Sequence, residues 1–96
     1  MNLQEALREK RGEIIRVAAK YKARNVRVFG SVARGDADSH SDVDLIVDLE
    51  PGTSLLDHAA LSVELNELLE CKVDVISSRG IKPRIRAQVL EEAVPL

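Results

Sequence analysis

Ninety-six residues, 45% of them apolar, are enough for one hydrophobic core and too few for two, so residues 1–96 read as a single domain. The lone Cys71 excludes an internal disulfide and fits a reducing cytoplasm. The charged start MNLQEALREKRGE lacks a leader-like apolar core, and no run approaches about 18 uninterrupted apolar residues, so neither export nor a spanning helix is expected. The net charge of −2 conceals a division. Residues 1–35 hold nine Lys/Arg against three acids, residues 36–78 hold eleven acids against Lys72 alone, and residues 79–96 hold four basic residues against two acids. An acidic middle between basic flanks suits a cation site beside a phosphate site, although solvated helix faces of differing sign give the same balance. With Tyr21 and Phe29 the only aromatics, a base-stacking platform for single-stranded nucleic acid is not expected.

Leu3, Leu7, Ile14, Val17, Ala18 and Tyr21 recur at helical spacing between Lys and Arg and predict one amphipathic helix over 3–21. A short strand over 26–29 follows, ended by Gly30, with a helical turn at 31–34 inside a Gly/Ser/Asp-rich stretch that reaches Asp42. Residues 43–49 predict a second strand, closed by the Pro51-Gly52 turn. Ser54, with Asp57 three residues on, opens a Leu-rich helix to about Glu70. Residues 72–77 predict a third strand, and 81–93 a last helix in which Pro83 is tolerable only in the first turn. The result is an α/β fold, a mixed sheet covered by helices in the order α-β-α-β-α-β-α.

Chemistry concentrates at Gly30-Ser31 after the first strand, Asp42-Val43-Asp44 entering the second, and Asp74 in the third. Strand side chains two apart share a face, which sets the carboxylates of Asp42 and Asp44 side by side. Close carboxylates repel, and a divalent cation relieves the repulsion; Mg²⁺ takes one or two carboxylates and fills its shell with phosphate oxygens and water. If the third strand lies beside the second, Asp74 faces the same place. Glycine at a strand end lets backbone approach a ligand, and a helical turn after it presents N–H groups to phosphate, with the Ser31 hydroxyl as a further donor.

The stretch GSVARGDADSHSDVDLIV, followed by LEPG and later VDVI, resembles the signature of the minimal nucleotidyltransferases, within the DNA polymerase beta-like nucleotidyltransferase superfamily. The likeness runs over roughly residues 15 to 96, and no catalytic position is missing. It implies that Gly30 and Ser31 bind triphosphate and that Asp42, Asp44 and Asp74 ligate metal, two Mg²⁺ ions being expected. Asp74 would also help to deprotonate the acceptor hydroxyl. Arg34 is a candidate to neutralise phosphate charge or, alternatively, to pair with an acid of its own loop. The implied reaction moves a nucleoside monophosphate, AMP from ATP, to a hydroxyl and releases pyrophosphate. The small size implies an acceptor that is small or is presented by another protein. The resemblance makes the latter concrete: a partner HEPN-domain RNase toxin, modified on a tyrosine hydroxyl and so neutralised by this chain as its antitoxin. The alternatives are an antitoxin that masks its partner without catalysis, and a transferase acting on a small hydroxyl compound.

Other motifs fail on their spacing. GSVARGDA has Asp36-Ala37 where a phosphate-binding P-loop needs Lys-Ser/Thr. A calcium loop from Asp36 through Asp38 and His40 would put Ser41 where glycine belongs and Val47 where glutamate belongs. His40, His58 and Cys71 have no zinc spacing and read as a loop residue, an early-helix residue and a small residue before a strand. Asp36 and Asp38 read as turn and capping residues. Asp48 shares the parity of Asp42 and Asp44 but lies further from the Gly-Ser turn and stays outside the expected site.

Overall fold

The computed structural model describes residues 3–35 and 42–96; Asp36, Asp38 and His40, expected as turn or loop residues, lie outside that range. The elements are α1 (Leu3–Glu9), α2 (Arg11–Lys20), β1 (Ala23–Phe29), α3 (Ser31–Arg34), β2 (Val43–Leu49), α4 (Leu55–Leu69), β3 (Val73–Ser77), a 3-10 turn (Ser78–Gly80), α5 (Pro83–Glu92) and β4 (Val94–Pro95). The strands form one sheet in the order β3-β2-β1-β4. Its pairings are mixed: β1 runs antiparallel to β2 and to β4, and β2 runs parallel to β3.

Each departure from the predicted elements has a local cause. The single helix expected over 3–21 is two, broken at Lys10, which leaves helical geometry at φ −97°, ψ 13°. Gly12, a weak helix former, stands just beyond the break, and the Lys10 ammonium reaches across to the Leu68 carbonyl at 2.7 Å. β1 starts three residues before the expected strand because Asn25 adopts a left-handed conformation (φ 54°), which allows an irregularity between Arg24 and Arg27 and lets pairing resume. The last helix begins at Pro83, the N-terminal position proline tolerates, after the 3-10 turn. The two-residue β4 carries too little pattern to be read from sequence. α4 does begin at the expected cap: the Asp57 amide donates to Ser54 Oγ (3.1 Å) and the Ser54 amide donates to Asp57 Oδ2 (3.2 Å).

Strand alternation divides the sheet. Val26 and Val28, Val43, Leu45 and Val47, and Val73 and Val75 point to one face and pack with Leu7, Ile14, Ala18, Leu61 and Leu65 of α1, α2 and α4. The other face carries Asp44, Ile46, Asp48 and Asp74. Ile46 is fully buried there, where the 3-10 turn lies against β2 and buries Ser78, with Ile81 buried just beyond it. That packing closes one end of the polar face and, among the described residues, leaves the other, at the start of β2 and β3, uncovered.

Candidate functional site

Because β2 and β3 are parallel and in register, Asp44 stands directly opposite Asp74. Because β1 is antiparallel to β2, Phe29 stands opposite Asp44 on the other side. Gly30 therefore turns beside the aspartates. A Cβ built on Gly30 would lie 2.5 Å from Asp44 Oδ2, and Gly30 has φ +79°, so the position excludes a side chain on both counts. Ser31 opens α3, whose single turn closes through the Arg34 amide on the Gly30 carbonyl at 3.1 Å.

Asp44 is partly buried among charges of its own sign. Burial first, then Asp74, then Asp42, push its carboxyl above the ordinary carboxylate range, while Arg34 and Lys72 pull the other way. Arg34 thus lies close enough to act on the site electrostatically. The Lys72 ammonium lies 3.7 Å from Asp42 Oδ2. Among the described residues, no three Asp, Glu, His or Cys side chains already converge as a metal cage. The donor chemistry nevertheless fits Mg²⁺, which needs only one or two carboxylates from protein and is completed by phosphate oxygens and water. Asp44 with Asp74 opposite, and Asp42 beside them, supply hard oxygen donors and a like-charge repulsion that a cation relieves.

Asp48, expected outside the site, has its own partners. Arg27 Nη2 donates to its Oδ1 at 2.7 Å and Asn25 Nδ2 to its Oδ2 at 2.9 Å. Hydrogen bonds from buried Ser78 and from Asn25, reinforced by Arg27, hold its carboxyl below the usual range. A depressed folded-state value means stability present above the unfolded value of about 4 and lost as pH falls through the folded one. Asp48→Asn is accordingly expected to lower the urea midpoint at pH 7, with the gap to wild type narrowing as pH is taken towards 3. His58, read as an early-helix residue, lies in α4 with Nε2 2.6 Å from the Val75 carbonyl oxygen, where it covers the edge of β3. Cys71 is a free, partly buried thiol just before β3.

Two cavities among the described residues, of about 210 and 310 Å³, flank β4 and share Arg11, Pro95 and Leu96 in their walls, with no Asp or Glu side chain in either. The reactive groups instead occupy an open sheet end. Sequence reading missed Lys72 as a neighbour of the site, although it stands two residues before Asp74 and its ammonium pairs with Asp42. It also missed the contact of Gly30 with Asp44, which is three-dimensional and leaves no trace in spacing.

A glycine turn thus packs against Asp44, with Asp42 just before the same strand and Asp74 in register on the neighbouring one. The chain belongs to the nucleotidyltransferase domain family, whose sequence profile matches residues 4–96, and its activity is nucleotidyl transfer. A Methanocaldococcus jannaschii protein provisionally named a protein adenylyltransferase is 37% identical over 94 residues, 98% of this chain and 97% of the relative. The protein adenylyltransferase MntA of Thermococcus cleftensis is 40% identical over 75 residues, 78% of this chain and 76% of MntA. A solved structure, provisionally described as a minimal nucleotidyltransferase, is 52% identical with a TM-score of 0.88, over 97% of this chain and 95% of that one. A toxin–antitoxin structure with AMP-PNP shares the fold at 22% identity, with a TM-score of 0.75 over 88% of this chain and 69% of that one.

Proposed function

We propose that this chain is a protein adenylyltransferase that transfers AMP from ATP to a hydroxyl of a partner protein, and that the partner is a HEPN-domain RNase toxin that it neutralises. The observation that carries the chemistry is the in-register pairing of Asp44 with Asp74 beside Gly30. Two relatives carry protein adenylyltransferase names, one of them provisionally, and a neighbour in fold is a toxin–antitoxin with AMP-PNP, which supports both the nucleotide and the kind of partner.

In this reading the Gly30-Ser31 turn and Arg34 hold the triphosphate, and Asp42, Asp44 and Asp74 hold Mg²⁺. When bound, the Mg²⁺ ions supply charge neutralisation for the attacking and leaving oxygens. Asp74 takes the proton of the acceptor hydroxyl. The hydroxyl oxygen then bonds to the α-phosphorus, the bond from that phosphorus to its bridging oxygen breaks, and pyrophosphate leaves with the electron pair. Gly30 excludes any side chain from the space between phosphate and carboxylates. In this reading residues 1–96 act as one domain in the cytoplasm. Separately, no helix among the described residues is long and apolar enough to cross a membrane.

Masking alone would not call for Asp44 and Asp74 to face each other at an electrostatic cost, which weighs against a binding-only antitoxin. The test is incubation with α-labelled ATP, Mg²⁺ and a HEPN-domain protein as the candidate acceptor. Label and the mass of AMP are expected on the partner. If the Asp42→Asn, Asp44→Asn double variant still neutralises the toxin at unchanged expression, the catalytic account is wrong.

A further inference from the structure

Lys72 stands in the acidic stretch as its only basic residue, and its place in the fold is specific. The parallel register sets Val43 opposite Val73 and Asp44 opposite Asp74, and the Val43 amide donates to the Lys72 carbonyl at 3.0 Å. Asp42 and Lys72 immediately precede the two strands, and their side chains form an ion pair at 3.7 Å. Lys72 has the parity of Asp74, so its side chain belongs to the aspartate face. Among the described residues, this end of the sheet thus carries an ion pair just before the strands (Asp42 with Lys72) and a like-charge cross-strand pair next to it (Asp44 with Asp74).

The two sides of this square differ. Gly30 and α3 flank β2 from the β1 side, whereas Asp74 sits on β3, the edge strand away from α3, with Lys72 immediately before that strand. In-line displacement needs the leaving pyrophosphate and the attacking oxygen on opposite sides of the α-phosphorus. With phosphates on the α3 side, the acceptor enters on the β3 side, over Asp74 and beside Lys72. A cation bound by Asp42 would repel the ammonium that now neutralises it. The Lys72 side chain is 67% exposed, which leaves it room among the described residues to swing outward.

We propose that Lys72 is a positioning residue of the transfer: its ammonium holds Asp42 until the nucleotide and cation bind, then turns to the acceptor side. There it favours a hydroxyl flanked by an anionic group, such as a tyrosine beside an acidic side chain. This rests on the adenylyltransfer reading above.

Two measurements on the full chain test it. Mn²⁺ titration by calorimetry, without nucleotide or acceptor, is expected to show binding tightened roughly two- to fivefold in Lys72→Met, the loss of one competing exposed ion pair, and little changed in Lys72→Arg. Steady-state transfer to the HEPN-domain protein is expected to show the acceptor KM raised on the order of tenfold in Lys72→Met, the KM for ATP nearly unchanged, and recovery in Lys72→Arg. Unchanged or weaker Mn²⁺ binding by Lys72→Met overturns the hold on Asp42. A raised KM for ATP with an unchanged acceptor KM overturns the acceptor-side role. Failure of the wild type to transfer at all, with Mn²⁺ binding still tightened in Lys72→Met, instead overturns the adenylyltransfer reading and the acceptor role with it, leaving the hold on Asp42 standing.

Discussion

Asp44→Asn is expected to abolish nucleotidyl transfer and, in the absence of divalent cations, to make the protein more stable than wild type. The two effects have one origin. Asp44 is partly buried, opposite Asp74 and near Asp42, so its charged form is disfavoured in the folded state and its carboxyl titrates above the ordinary range. A raised folded-state value means that the contribution to stability is present below the unfolded value of about 4 and is lost as pH rises through the folded one. At neutral pH the ionised group therefore costs stability, and the nearly isosteric amide removes that cost. In EDTA at pH 7 the melting temperature should rise by roughly 2 to 4 °C, with the gain disappearing towards pH 4. Activity should fall on the order of 10³-fold or more, because a metal-binding carboxylate supports several kcal/mol of transition-state stabilisation. Calorimetry across pH, with transfer rates on the same preparations, checks both. Equal loss of stability and activity would mean that Asp44 is structural.

Gly30→Ala is expected to damage both properties together. An alanine at φ +79° costs about 1–2 kcal/mol in backbone strain, and its Cβ would stand 2.5 Å from Asp44 Oδ2, closer than any real contact allows. The Asp44 carboxylate must turn or shift from the position it holds opposite Asp74. A displacement of about 1 Å at a reacting centre is enough to lose roughly 100-fold in rate, and the strain should lower the melting temperature by roughly 5 to 10 °C. Gly52→Ala separates the two causes. Gly52 has φ +89° but nothing within 4 Å of a built Cβ, so that variant should lose comparable stability and keep its activity. Comparable activity loss in both variants would assign the Gly30 effect to strain alone.

Much of this arrangement was legible in the sequence because it depends on strand parity. Asp42 and Asp44, two apart on a strand, share a face in any sheet. That Asp74 joins them required β3 to be the neighbour of β2 in parallel register, and α4, long enough for a crossover and capped by Ser54 and Asp57, makes that connection natural. Less legible were features decided by tertiary contact. The break at Lys10 is fixed by a hydrogen bond to Leu68, 58 residues away, and the early start of β1 by a left-handed Asn25. β4 pairs through only Val94 and Pro95, too short to show alternation. Asp48 has the parity of the site but is engaged by Arg27, Asn25 and Ser78, partners whose approach no spacing foretells.

The central claim is that the Asp42, Asp44 and Asp74 face moves AMP onto a partner protein. The most direct measurement is intact-mass spectrometry of the HEPN-domain partner after incubation with this chain, ATP and Mg²⁺, with the Asp42→Asn, Asp44→Asn double variant in parallel. A mass increase of one or more AMP units on the partner, absent with the double variant, is the predicted result. An unmodified partner with every nucleotide and with Mn²⁺ as well, while its toxicity is still neutralised, would contradict it.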